Sequence, residues 1–209
     1  MILLKNREEL VLLPGFVKNE IELERDVQKE LAAWKRKRHN TVLQVEGPRQ
    51  VGKTHEIKKF TYSHYNNVIY INLVRDEYGF EDLLSESGGS FMAEYCEQAG
   101  LPPYCDNENT VLVIDEIQES QMVYNSIRDL RERLSCDIIV SGSYLARTVN
   151  SKDFFLPAGI AYLRMYPLSF QEFCRARDCE DILEQLHPFG ESPSGNYERL
   201  ERKYQIYRH

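Results

Sequence analysis

The chain has 209 residues, 42% hydrophobic and 28% charged, with a formal net charge of -7. That composition suits a sizeable α/β domain plus part of a second element, and it excludes a disordered or fibrous chain. The acidic balance argues against broad nucleic-acid binding, no apolar run is long enough to span a bilayer, and five cysteines without a CxxC pair point to reduced thiols rather than a disulfide framework or zinc site.

The opening Met1-Ile2-Leu3-Leu4-Lys5 soon meets Arg7-Glu8-Glu9, which is not the pattern of a signal peptide, so the expected location is the cytoplasm. Residues 20–37 read as an amphipathic helix with Ile21, Val27, Leu31 and Trp34 near helical spacing. It ends in a basic run, Lys35 to His39, whose plain reading is a solvated helix end that complements the macrodipole. Thr41–Glu46 is a β-rich run that stops at Gly47, residues 53–63 look helical, and Val68–Leu73 is a second strand. Residues 78–99 read as helical segments broken at Ser87-Gly88-Gly89, followed by a loop at Gly100-Leu101-Pro102-Pro103. Thr110–Ile114 is the clearest buried strand and closes on Asp115-Glu116. Residues 121–134 are expected to form a helix with Val123, Ile127, Leu130 and Leu134 on one side. Asp137–Val140 is a fourth strand running into Ser141-Gly142-Ser143, and Ile160–Tyr166 is a weaker fifth. Helices are expected at 178–187 and 197–208, around a Pro/Gly/Ser linker at 188–195. The last residues, Tyr207-Arg208-His209, carry no closing apolar pattern, so the chain reads as part of a larger protein.

Apolar strands that alternate with helices indicate a parallel sheet covered on both faces. In such a sheet ligands gather at the carboxyl ends of the strands. Gly47, Asp115 and Ser141 all stand just past such ends.

Gly47-Pro48-Arg49-Gln50-Val51-Gly52-Lys53-Thr54 fits G-x-x-x-x-G-K-[ST], between a strand and a helix. Gly47 leaves the strand with no side chain in the way. Gly52 lets the backbone curl so that amide N–H groups and the helix N-terminus face an anion. Lys53 is the candidate cation for the β- and γ-phosphates, and Thr54 offers its hydroxyl to Mg²⁺. Asp115, at the end of its apolar strand, is the candidate second Mg²⁺ anchor, directly or through waters. Glu116 is the candidate base for the attacking water, and Gln118 is placed either to assist it or simply to start the next helix. Ser141 and Ser143 are polar groups able to sense a γ-phosphate, or turn residues that cap the next segment.

Several of these segments together resemble a known prokaryotic group. They are the loop Gly47–Thr54, the run Asp115-Glu116-Ile117-Gln118, Ser126–Arg131 leading to Ile139–Leu145, and Tyr166-Pro167-Leu168-Ser169-Phe170-Gln171-Glu172-Phe173. The chain resembles the AAA-domain ATPases (AAA domain family 14), which usually carry a further C-terminal domain. The resemblance covers roughly residues 20–175. It implies an α/β P-loop NTPase of AAA+ type, with a five-stranded parallel sheet in the order 5-1-4-3-2, and Ser141 in the sensor-1 position. The domain expectation is an ATPase domain over 1–175 and a partial helical extension over 176–209. Many members have Ala-Gly-Arg before the fifth strand, whereas Ala158-Gly159-Ile160 stands here. Arg128, Arg131, Arg147 and Arg164 are the other arginines weighed for transition-state charge, each also readable as a surface residue.

The functional expectation is ATP hydrolysis to ADP and phosphate with Mg²⁺, driving a conformational change, with a protein partner or a second copy engaged through a further C-terminal part. The alternative is a nucleotide-dependent switch with negligible turnover. Asn150-Ser151-Lys152-Asp153 has its lysine misplaced for guanine recognition, no Leu-Ser-Gly-Gly segment occurs, and the Asp-Glu pair favours water over another phosphoryl acceptor. A nucleic-acid-linked role would draw on Lys35–Arg38.

Overall fold

The computed structural model describes residues 23–37, 42–86, 90–143, 159–185, 202 and 204–207. These divide into two compact units, one of Val27–Pro167 and the other drawing on the residues before and after it. The larger unit carries α1 (Val27–Lys37), β1 (Val42–Glu46), α2 (Lys53–His64), β2 (Asn67–Asn72), α3 (Phe80–Glu86) and α4 (Phe91–Gln98). It continues with β3 (Thr110–Asp115), a 3₁₀ turn (Ile117–Glu119), α5 (Gln121–Asn125), α6 (Ile127–Arg133), β4 (Asp137–Gly142) and β5 (Ile160–Arg164).

The five strands form one sheet in the order β2-β3-β4-β1-β5, all pairs parallel. This is the expected 5-1-4-3-2 arrangement. Strand residues alternate between two buried layers. Val42, Ile69, Ile71, Leu112, Ile114, Ile138 and Val140 pack with α3 to α6 on one face. Leu43, Val45, Val111, Val113 and Ile139 pack with Val27 and Leu31 of α1 and with Ile57 and Phe60 of α2 on the other. Apolar side chains are needed on both faces, which is why the strands read as unbroken hydrophobic runs.

Two helices of the larger unit differ from the sequence expectation. Residues 23–26 are not helical, and α1 begins at Val27. The Asp26 N–H donates to Glu172 Oε1 at 2.9 Å, as does Arg25 Nε at 3.0 Å, so this stretch is committed to side-chain partners instead of a first helical turn. The helix expected over 121–134 is two helices that meet at Ser126. The Ser126 hydroxyl donates back to the Met122 carbonyl at 2.9 Å, a bond from the preceding turn that favours a bend there. Val123, Ile127, Leu130 and Leu134 are nonetheless all buried, as their spacing predicts.

The smaller unit contains α7 (Phe170–Ala176) and a 3₁₀ segment (Glu180–Gln185) where a longer α-helix was expected. Phe173, Cys174 and Cys179 form its core, with Phe170, Leu183 and Tyr207 against them. Glu172 organises this unit. Ser169 and Glu172 form a capping box, with Ser169 N–H to Glu172 Oε2 at 2.7 Å and Glu172 N–H to Ser169 Oγ at 3.1 Å. The same carboxylate takes Arg25 and Asp26. Burial by itself would raise its pKa, but the Ser169 and Asp26 amides and the Arg25 guanidinium outweigh that and hold it below the usual value. Residues 204–207 are helical, while the expected linker at 188–195 lies outside the described residues, as do Ser87-Gly88-Gly89 and Arg147.

Candidate phosphate-binding site

The loop between β1 and α2 owes its path to two glycines. At Gly47 the reason is space: a Cβ there would lie 2.3 Å from the Met165 carbonyl oxygen and 3.2 Å from its carbonyl carbon. That carbonyl cannot move easily, because the Met165 N–H is bonded to Glu46 O at 2.8 Å and β5 is registered along β1. At Gly52 the reason is torsion, with φ 93°. Gln50 also has positive φ, 66°. Two left-handed residues in this short stretch curl the main chain so that successive amides face a common concavity. The first turn of the twelve-residue α2 follows directly, and Gly52 places no side chain over that helix end.

Lys53 is 7% exposed. Its ammonium donates to Gly47 O at 2.9 Å, Pro48 O at 2.8 Å and Ser143 Oγ at 3.0 Å, so it lies across its own loop and touches the end of β4. Burial lowers its pKa, Glu116 and Asp115 oppose that, and Arg49 adds to it. The net direction is down.

Asp115 closes β3 and is 1% exposed. Its carboxylate accepts from Thr54 Oγ1 at 2.7 Å and from the Tyr70 hydroxyl at 2.5 Å, both on Oδ2. Ser141 Oγ and the Glu116 N–H, the latter at 3.0 Å, donate to Oδ1. The parallel sheet order causes this convergence: β3 lies between β2, which brings Tyr70, and β4, which brings Ser141. Burial first, and then the bond to Asp115, raise the Tyr70 pKa, so its hydroxyl stays protonated and donating. The Lys58 ammonium lies 4.0 Å from the centroid of the Tyr70 ring. Burial lowers the Lys58 pKa, with Asp115 opposing and Arg75 adding.

Glu116 takes a left-handed backbone, φ 56° and ψ 43°, which costs a non-glycine residue about 1–2 kcal/mol. The next three residues form the 3₁₀ turn, and Gln118 reaches back so that its Nε2 donates to Glu116 Oε2 at 2.5 Å. The Gln118 Oε1 accepts the Ser143 N–H at 3.3 Å. Lys53, Ser143, Gln118 and Glu116 are therefore joined in one polar chain.

Of the expected site residues, the structure brings Gly47, Pro48, Lys53, Thr54, Asp115, Glu116, Gln118, Ser141 and Ser143 into this hydrogen-bonded cluster or its adjoining loop. Tyr70 was not anticipated. Within its own strand it is one aromatic among apolar residues, and only the β2–β3 pairing, in which Tyr70 stands opposite Val113, brings it near Asp115. Among the arginines considered, Arg128 pairs with Glu132 at 3.1 Å and Arg164 with Glu46 at 2.6 Å, both in exposed positions. Lys35 of the basic run lies over the Tyr65 ring at 3.2 Å and 3.9 Å from Asp137, while Arg38 lies outside the described residues. A cleft of about 740 Å³, lined by Lys35, His64, Cys136 and the first residues of β1 and β4 (Val42 and Asp137) among others, shares no residue with the cluster. No helix among the described residues is long and apolar enough to cross a membrane.

A family profile described as an AAA domain (AAA_14) matches residues 39–174. Among solved structures, the chain is similar to the RuvB Holliday junction branch migration motor of Thermotoga maritima. The identity is 17% and the TM-score 0.42, over 79% of this chain and 53% of that one. It is also similar to PCH-2 of C. elegans, at 14% identity and a TM-score of 0.42, over 87% of this chain and 56% of that one. The chain thus spans about half the length of these structures. No curated protein matches it. The chain belongs to the AAA domain family, and its five-stranded parallel sheet has the order of an AAA+-like P-loop ATPase fold.

Proposed function

We propose that this chain binds ATP with Mg²⁺ and hydrolyses it to ADP and phosphate. The observation that carries the reading is the junction of the phosphate loop with the acidic strand: Thr54 Oγ1 stands 2.7 Å from Asp115 Oδ2, next to a lysine lying across the loop. The residues fit a magnesium–triphosphate pair, because a hydroxyl and a buried carboxylate adjoin a curled run of amides. Thr54 and Asp115 would hold the metal, which when bound would draw charge from the β- and γ-phosphate oxygens.

The protein side of the reaction then falls to the loop amides and four side chains. The amide N–H groups of 49–54 and the α2 N-terminus bind the phosphate tail. Lys53 leaves the loop carbonyls for the γ-phosphate. Glu116 accepts a proton from the attacking water, and Gln118 keeps its carboxylate oriented through the 2.5 Å bond. Ser141 steadies Asp115 from β4. The resulting change is passed to a protein partner or to another copy of the chain.

The test is nucleotide-dependent thermal shift with ATP, ADP and GTP, with and without Mg²⁺, alongside phosphate release. A ligand that binds only the folded form raises its melting temperature. Glu116→Gln is expected to keep the ATP shift and lose phosphate release. If the variant turns over at the parent's rate, the role of Glu116 is wrong. If the parent binds ATP and releases no phosphate, the protein is a nucleotide-dependent switch instead.

A further inference from the structure

Asp115 has more donors than a metal-anchoring carboxylate can keep. An ionised carboxylate offers about four lone-pair positions. Here Oδ2 takes Thr54 and Tyr70, and Oδ1 takes Ser141 and the Glu116 N–H. For Asp115 to engage a metal, or a water of its shell, one donor has to withdraw.

The four donors differ in freedom. The Glu116 N–H is fixed in the main chain of the left-handed residue after β3. Ser141 is fully buried in β4. Thr54 can offer its oxygen lone pair to a metal while its proton stays on Asp115. Tyr70 is partly exposed and has a long side chain hinged at β2. Its phenol is acceptor-poor and cannot replace Asp115 as a ligand while protonated.

We propose that Tyr70 gates the metal position of this site: its hydroxyl occupies the Asp115 Oδ2 position that a divalent cation or its water needs, and it must swing away as the cation binds. The Lys58 ammonium on the Tyr70 ring face steadies the closed position. The proposal rests on the assignment of Asp115 as the magnesium anchor. It goes beyond that assignment by giving Tyr70 a sign: it opposes the metal and does not help to hold it.

The test compares the parent with Tyr70→Phe, which keeps the ring and removes the competing hydroxyl together with its hydrogen bonds to Asn72 and Thr54. Fluorescent trinitrophenyl-ATP is titrated in EDTA and again in excess Mg²⁺, and Mn²⁺ alone is titrated by electron paramagnetic resonance. Losing a hydrogen bond to a charged acceptor should tighten Mn²⁺ binding about tenfold. The ratio of nucleotide affinity with Mg²⁺ to that in EDTA should rise by a similar factor, with the EDTA value unchanged. A merely structural tyrosine would leave the Mn²⁺ affinity and that ratio where they were, and a tyrosine that positions Asp115 would lower both. Either result overturns the gate, as does failure of Mn²⁺ to bind both proteins.

If the parent binds no nucleotide, the ATPase reading falls and the Mn²⁺ titration still decides on Tyr70. Should Tyr70→Phe not fold, the parent alone is tested by its near-ultraviolet difference spectrum on adding Mn²⁺. Release of a phenol from a carboxylate shifts the tyrosine band to shorter wavelength, and an unchanged band rules out the swing.

Discussion

Gly47→Ala is the most direct test of how the phosphate loop is held. The added Cβ would stand 2.3 Å from the Met165 carbonyl oxygen, 3.2 Å from the carbonyl carbon and 3.4 Å from the Met165 Cβ. Ordinary carbon–oxygen contact begins near 3.4 Å, so β1 and the segment after β5 must separate by about 1 Å. The obstacle is main chain, and the Met165 N–H to Glu46 O bond of 2.8 Å lies at the same place. Overpacking of this kind costs about 1–3 kcal/mol, and the backbone nature of the clash places it in the upper half of that range. The shift also moves Gly47 O, one of the carbonyls that hold Lys53. Gly47→Ala should therefore lower the urea midpoint and also weaken the ATP-dependent thermal shift.

Gly100→Ala is the matched control. Gly100 has φ +63° with nothing within 4 Å of the added Cβ, so it should lose about 1–2 kcal/mol through backbone strain while the ATP shift is retained. If Gly47→Ala equals the parent in both measurements, the close approach to Met165 does not govern the loop.

Lys53→Ala should abolish the ATP-dependent thermal shift without loss of the fold, and a parent-like shift at millimolar ATP would remove the phosphate-loop assignment. Glu172→Ala removes the carboxylate that accepts from Arg25, the Asp26 N–H and the Ser169 N–H, and should cost about 1–3 kcal/mol by urea denaturation. Because the Glu172 pKa is depressed on folding, its contribution is present above the ordinary carboxylate value and is lost as the pH falls through the lower folded value. The parent's urea midpoint should therefore fall more steeply below about pH 4.5 than that of Glu172→Gln, and parallel profiles would contradict this. Burial pushes the Cys96 and Cys136 thiols up to about 11, whereas Cys105 is exposed, so Cys105 should react first with a disulfide reagent; Cys105→Ser should remove that fast phase.

Local chemistry made much of this protein legible in its sequence. Unbroken apolar runs mark Thr110–Ile114 and Asp137–Val140 as strands covered on both faces, and the structure places both inside the sheet. The loop Gly47–Thr54 and the Asp115-Glu116 ending were readable because each needs particular residue types at fixed spacing. Tertiary structure decided what depends on neighbours distant in sequence. Arg25 and Asp26 leave the helical pattern because Glu172, far along the chain, takes their donors. Ser126 divides a stretch whose apolar spacing alone reads as one helix, since periodicity reports the buried face and not the continuity of the backbone. Tyr70 carries no signal of its own, because a strand's sequence does not say which strand lies beside it or in what register. Only the pairing of β2 with β3 brings its hydroxyl to Asp115.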